Sequence, residues 1–397
     1  MSQSAGQSKA DFLGINIGSV IDEKWKIMRI LGEGAFGAVY EVEDEGDPRA
    51  MYALKAEPNI TSPSSPPKLL PLEVIVLKAL HRKRATHCPA YITCGTTPDF
   101  DYVVMGLVGK NVNDLRKSMP TKSFRLRTSL HLGIKSLISL VEIHEAKATF
   151  YPRFIHRDVK PANMCVGRPP HDIRSVYVLD WGLCRRFVNS KGVLYRPREK
   201  TTFRGTPRYA SVGALNDKEQ GRVDDLWAWF MCLIEFTVGK LPWDDLPFRT
   251  RKPSVYLEWL TRTKTEYVSD SSILCNKCPR EYRELHSVLS GLTYFDAPDY
   301  SFFSRALSEC MSRKHVDPNE PLDWEPRSLS SKLTEKIPFS SMVSGFRLLS
   351  NSQRITSAEN SVIDANKAAA AARAKKSLSK SGSNKKSKRS RRKKSIS

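Results

Sequence analysis

The sequence predicts an α+β fold in two lobes, a smaller sheet-based lobe and then a larger helical one. Two observations carry this expectation. Short stretches alternating apolar and polar residues dominate the first hundred positions, whereas long runs with helical apolar spacing dominate the positions after them. At 397 residues with 40% hydrophobic side chains, the chain is long enough to bury a core across both lobes, and no internal repeat breaks the order.

Residues 1–20 are polar and read as a flexible leader. From Trp25, "KWKIMRILGEGAFGAVYEVED" alternates around a glycine cluster and predicts two strands with a tight turn, and "MYALKAE" predicts a third. "TSPSSPPK" is a Pro/Ser loop. "LLPLEVIVLKAL" places Leu72, Val76 and Leu80 at helical spacing, "DYVVMGL" reads as a buried strand, and "SLHLGIKSLISLVEIHEA" (129–146) as an amphipathic helix. "DDLWAWFMCLIEFTVGKLPW" (224–243) is apolar nearly all round, which predicts a buried helix ending at Gly239.

Five elements carry candidate chemistry. Gly32, Gly34 and Gly37 fit G-x-G-x-x-G, with Val39 two residues on; glycine lets backbone amides approach a phosphate closely, and strands rather than a helix flank this turn. Lys55, eighteen positions after Gly37, lies in a strand where burial demands a partner, and Glu73 on the next helix is the candidate. "FIHRDVKPANMCVG" is the most specific stretch. Asp158 can accept a proton from a hydroxyl, Lys160 can neutralise charge on a transferring phosphoryl group, and Asn163 offers an amide oxygen to a hard cation. Asp180 in "VLDWGLC", seventeen residues later, supplies the second oxygen ligand. These elements, in this order, match the signature set of protein kinases.

Downstream, "FRGTPRYASVGAL", "GKLPW" and "LTYFDAPDYSFFSRAL" resemble the casein kinase 1 superfamily; "YVVMGLVGKNVNDLR" and "GRPPHDIRSVYVLDWGL" are most similar to its tau-tubulin kinase-like branch. The resemblance implies a two-lobed protein kinase fold over residues 21–315, with an N-lobe of an antiparallel sheet and one main helix (about 21–105), a hinge at 106–110 and a helical C-lobe at 111–315. It implies a serine/threonine kinase using ATP with Mg²⁺, or Mn²⁺ in its place. Lys55 would hold the α/β-phosphates and pair with Glu73. Asp158 would be the catalytic base, with Lys160 beside it, and Asn163 and Asp180 would bind the metal. Leu31, Gly32, Gly34, Gly37, Val39, Ala53, Met105, Leu107 and Cys165 would surround the nucleotide, and Asp225 would anchor the catalytic loop. Thr206 would sit beside the acceptor hydroxyl, and Arg208 would read acidic or phosphorylated substrate.

Four departures stand out: Trp181 replaces the phenylalanine of Asp-Phe-Gly, the stretch between His144 and His156 is longer, Gly213 stands in place of asparagine, and Ser254 in place of lysine. Trp181 is expected to pack with His156 and Leu77. Trp181 and the longer stretch motivate one alternative, a pseudokinase scaffold.

Net charge is +22, of which residues 365–397 contribute +13 through 13 Lys or Arg and no acid. Residues 316–364 read as a Ser/Pro/Asn-rich linker and 365–397 as a basic disordered tail. "KKSKRSRRKK" fits a nuclear-localisation signal, a contact to an anionic surface (microtubule, nucleic acid or membrane) or a solubilising tail, and a basic-tail anchoring protein is the second alternative. The basic cluster Arg249, Arg251 and Lys252 reads as a solvated loop or an acidic-substrate dock, and Cys275-x-x-Cys278 lacks the second pair a zinc site needs. Eight scattered cysteines, no apolar leader, Ser2 where N-myristoylation needs glycine, and no membrane-length run predict a non-secreted protein of the cytoplasm or nucleus. The resemblance implies acidic or cytoskeletal protein substrates, and a monomer is expected.

Overall fold

The computed structural model describes residues 13–34, 36–59, 67–145, 153–170, 172–246 and 252–325. The Pro/Ser loop, most of the long stretch before His156, Arg249, Arg251, most of the linker and the basic tail lie outside the described residues.

The first lobe is a six-stranded antiparallel sheet ordered β1-β2-β3-β4-β6-β5, with β1 Val20–Ile21, β2 Trp25–Glu33, β3 Ala38–Asp44, β4 Asp47–Pro58, β5 Tyr91–Thr96 and β6 Phe100–Gly106. Strand periodicity sorts its side chains into two faces. Leu54, Ala56, Tyr102 and Val104 join Trp25, Ile27, Tyr40 and Val42 in one core. Ala53, Val103 and Met105 point the other way and join the larger core that runs into the second lobe. Lys55 shares the parity of Ala53, so it emerges on the face covered by helix α1, Leu70–Arg82. Pro71 in the first turn of α1 suits a helix start, and Glu57 accepts the Leu69 and Leu70 amides in place of a side-chain cap.

The second lobe continues with α2 Val112–Ser118, α3 Leu126–His144, β7 Phe154–Ile155, β8 Met164–Val166, β9 Val176–Val178, β10 Arg185–Arg186, α4 Val212–Leu215, α5 Arg222–Val238, α6 Pro253–Ser269, α7 Ser271–Leu274, α8 Glu281–Gly291 and α9 Tyr300–Arg313. Helix α5 is buried almost throughout and ends at Gly239, whose φ of 91° is a left-handed cap conformation that suits glycine. Helix α3 starts three residues before the expected position and is also buried nearly all round, because α5, α9 and β9 all pack on it. Among its polar residues, Ser129, His131 and Ser136 bond to backbone carbonyls rather than forming a solvated face.

Both ends of the domain differ from the sequence expectation. Leu13 and Ile15, in the stretch read as a leader, are buried in the sheet core with Trp25. Residues 316–325, expected to start a linker, pack on α3. Leu322 is buried, Trp324 Nε1 donates to the Ile173 carbonyl at 2.9 Å, and Glu325 takes both a 2.6 Å and a 3.0 Å bond from Arg174. A chain ending at 315 leaves Arg174 without Glu325 and uncovers Phe124, against which Trp324 stacks edge-on. It is expected to lose about 3 kcal/mol or more of stability, read as a lower melting temperature, while a chain ending at 330 melts like the full length.

Candidate active site

The site is assembled at the junction of the lobes by two carboxylate clusters. In the first, Lys55 Nζ lies 2.6 Å from Glu73 Oε2 and 3.3 Å from Asp180 Oδ1. Burial works against the Lys55 ammonium, but Glu73 and then Asp180 outweigh it and hold its pKa above the usual lysine value. Burial likewise opposes charge on Asp180, and Lys55 with His156 after it holds that carboxyl below its ordinary range. Burial raises the pKa of Glu73, against which the Trp181 backbone amide favours its charged form. Asp180 has a positive φ of 66°, a conformation rare outside glycine that aspartate tolerates better than most residues.

The second cluster lies on the loop between β7 and β8. Asp158 Oδ2 accepts Lys160 Nζ at 2.6 Å, and Asp158 Oδ1 accepts the Thr206 hydroxyl at 2.6 Å. Lys160 also donates to Thr206 Oγ1 at 3.0 Å, closing a triangle of base, cation and hydroxyl. Asn163 Nδ2 donates to the Asp158 carbonyl at 3.0 Å and to its carboxylate at 3.2 Å, which leaves the Asn163 amide oxygen for another partner. The Leu179 amide donates to the Asn163 carbonyl at 2.8 Å, tying the Asp180 turn beside Asn163. Gly205, with φ of 117°, passes so close that a Cβ there would lie 2.3 Å from the Arg157 carbonyl.

The loop is fixed from below. Asp225 on α5 accepts the His156 amide at 2.6 Å, the Arg157 amide at 2.8 Å and His144 Nε2 at 2.8 Å. Burial raises its pKa, but the His144 bond leads a set of donors that hold it below the ordinary value. The Asp158 amide donates to His156 Nδ1 at 3.2 Å, so Nε2 carries the proton and bonds the Leu179 carbonyl at 3.1 Å. His156 thereby joins the Asp158 loop to the Asp180 turn.

Around the glycine turn, a Cβ on Gly37 would lie 2.0 Å from the Ala56 carbonyl, so only glycine fits there. Gly32 has no neighbour within 4 Å of such a Cβ, and Gly34 only the Gly37 carbonyl at 3.9 Å, so both border open space. Ala53 pairs with Met105 across β4 and β6, and Val39 and Leu107 pack on the same apolar cluster. Leu31, 37% exposed, and Cys165, buried in β8 with its thiol pKa pushed up to about 12 by burial, are not part of that cluster. Open space over two glycines, one cation held by two carboxylates, and oxygen donors on Asn163 and Asp180 fit a nucleotide triphosphate with a divalent metal.

The protein kinase domain family matches residues 25–291. The chain belongs to the protein kinase family. It is 34% identical over 321 residues to a probable serine/threonine-protein kinase of Dictyostelium discoideum, covering 80% of this chain and 60% of that protein. It is 32% identical over 304 residues to the serine/threonine-protein kinase spe-6 of Caenorhabditis elegans, covering 77% and 76%. An inactive tau-tubulin kinase of the same worm is 31% identical over 265 residues, covering 64% and 86%. The protein is a serine/threonine kinase, and ATP and divalent-metal use follow from the family.

One side chain of the kinase stands elsewhere than the resemblance implied, and a second was not marked by the sequence at all. Arg208 is not a free cation facing substrate: it pairs at 2.6 Å with Glu235 and also with Asp244, and Glu235 is shared with Arg116 and Tyr209. The resemblance implied a substrate reader, and the fold ties Arg208 to Glu235 and Asp244. Lys264, which nothing in the sequence marks, is fully buried on α6. It donates to the carbonyls of Pro207 at 3.2 Å, Arg208 at 3.0 Å and Ala210, and sits 4.6 Å from the centre of the Trp243 ring. Burial, with Arg208 beside it, pulls its pKa well below the usual lysine value. The lysine holds the segment that begins at Thr206. Lys264→Met is expected to raise the KM for a protein substrate roughly tenfold while leaving the KM for ATP unchanged, measured by steady-state kinetics.

Trp181 is buried and stacks on His156 with ring centres 4.9 Å apart, and Leu77 lies in the same cluster. Its indole N–H has no hydrogen-bond partner among the described residues. Phenylalanine would remove that unpaired donor while giving up some packing, so the two effects oppose each other at about 1–3 kcal/mol each. Trp181→Phe is expected to retain kinase activity and to change stability by under ~1.5 kcal/mol in denaturant unfolding.

Proposed function

We propose that the kinase transfers the γ-phosphoryl group of Mg-ATP to serine or threonine hydroxyls of protein substrates, with Asp158 as the base. The observation that carries this is the Asp158–Thr206 contact: a hydroxyl stands 2.6 Å from a carboxylate that a lysine also touches. An acceptor hydroxyl arriving beside Thr206 would meet the same carboxylate oxygen and lose its proton there. Lys160 then balances charge that develops between Asp158 and the incoming phosphoryl oxygens. Lys55, oriented by Glu73, would hold the α/β-phosphates, and the amides of the Gly32–Gly37 turn would cover them. Asn163 and Asp180 would hold Mg²⁺, and Mn²⁺ fits the same oxygen donors; the metal supplies neutralisation of phosphate charge. Ala53, Met105 and Val39 would border the adenine.

The casein kinase 1-like and tau-tubulin kinase-like assignment rests on the downstream motifs and on the names of two relatives, a putative casein kinase I and an inactive tau-tubulin kinase of Caenorhabditis elegans, and acidic or cytoskeletal substrates follow from it. Arg208, as an internal tie, lends no support to a preference for phosphorylated sites. The basic tail would add a salt-sensitive contact to an anionic surface, with the domain acting as a monomer. A pseudokinase is disfavoured because Lys55, Glu73, Asp158, Asn163 and Asp180 are all present and in register.

Asp158→Asn is expected to lower phosphate transfer to casein by roughly 100-fold or more while ATP with Mg²⁺ still raises the melting temperature. Equal turnover by the variant would refute the assignment of the base, and no stabilisation by nucleotide in either protein would favour the scaffold.

A further inference from the structure

A cavity of about 600 Å³ opens at the hinge, between the end of α1, the chain after it and β9. Arg82 and Arg84 stand at its margin, and Cys88, Pro89, Val108 and Tyr177 contribute to its walls. Its lining includes Gly106 and Leu107 of the hinge, Leu107 being expected at the nucleotide, but no residue of the Lys55–Asp180 cluster, the Asp158 loop or the glycine turn, so it adjoins the nucleotide site without containing the catalytic residues. Its volume is that of a ligand-binding site rather than a packing void. No acidic residue lines it, and neither Arg82 nor Arg84 has an ion-pair partner among the described residues. Two exposed guanidiniums beside an apolar recess constitute a surface that lacks its complement.

The walls come from parts that are held in place. Glu142 on α3 accepts the Thr86 and His87 amides at 2.8 and 3.0 Å, and the His87 carbonyl accepts the Val178 amide at 2.9 Å. The Gly106 amide donates to the Ala90 carbonyl at 2.8 Å. The recess is therefore preformed, which lowers the ordering cost of binding.

We propose that this recess docks a peptide segment of another protein, with acidic side chains on Arg82 and Arg84 and an apolar side chain in the cavity. Charge selects that occupant over the chain's own tail, since residues 365–397 carry 13 Lys or Arg and no acid and would be repelled. The site touches the first lobe through α1, the hinge through Leu107 and Val108 and the second lobe through Tyr177, so a docked peptide bridges the lobes beside the nucleotide site.

The test uses the full chain, loaded with a non-hydrolysable ATP analogue and Mg²⁺, to select from a phage library of random twelve-residue peptides. Recovered peptides are expected to be enriched in Asp or Glu close to Leu, Ile or Phe. By fluorescence anisotropy, the double variant Arg82→Glu/Arg84→Glu is expected to bind them roughly tenfold or more weakly, and the double alanine variant to fall between. Casein phosphorylation and melting temperature should match the parent, since both arginines lie outside the catalytic machinery. Replacing the apolar peptide residue by serine should weaken binding as well. The proposal is overturned by a pool without acidic enrichment, by equal affinity for the charge-reversed protein, by indifference to the serine change, or by peptides that bind only when the nucleotide is absent.

Discussion

A single buried carboxylate sets the geometry of this kinase. Asp225 sits in the middle of the helical lobe, where an ionised group is costly unless its lone pairs are used. Two backbone amides and one imidazole use them, and the amides belong to His156 and Arg157. Fixing both amides on one carboxylate bends the chain at Arg157, whose φ is 67°, and that bend turns Asp158 out toward Lys160 and Thr206. His144 completes the anchor from α3 and is held in turn by the Tyr300 hydroxyl at 2.7 Å, so three helices converge on the loop that carries the base. The strain of the bend persists because the surrounding core over-determines it.

From that loop the order propagates upward through hydrogen bonds rather than through bulk packing. Leu179 is bonded to both Asn163 and His156, so the Asp180 turn inherits its position from the Asp158 loop. Asp180 then meets Lys55, and Lys55 meets Glu73, whose helix is packed against the turn at Trp181–Leu183. The Lys55 ammonium thus joins carboxylates from two lobes, and a shift of α1 would break the chain of contacts at one identifiable bond.

Local chemistry was legible in the sequence. His156–Asn163 and Asp180 could be read because their residue types and short spacings leave few alternatives. The Lys55–Glu73 pair could be read because a strand lysine needs a partner on the nearest helix. Tertiary partners could not. The resemblance cast Arg208 as a substrate reader, and the sequence did not reveal that Glu235, 27 residues away, would take its charge. Lys264 sat in an ordinary-looking helix, and only the fold brings it to carbonyls 54 to 57 residues earlier. Trp324 and Glu325 fell in a polar stretch whose composition suggests a linker, yet their partners Ile173 and Arg174 lie 151 residues back.

The tryptophan in Asp-Trp-Gly sharpens the distinction between the chemistry of a turn and its packing. The groups that position Asp180 are Lys55, His156 and the backbone, and none of them depends on the Trp181 side chain being an indole. Trp181 contributes volume against His156 and a backbone amide to Glu73, and any residue but proline has the amide. Among the described residues the indole N–H has no partner, so they accommodate the larger ring without offering it a polar contact. A substitution that changes only packing shifts how readily the turn leaves its seat. It leaves untouched the oxygen donors that the turn presents once seated, which is why a departure at this position carries little weight against catalysis.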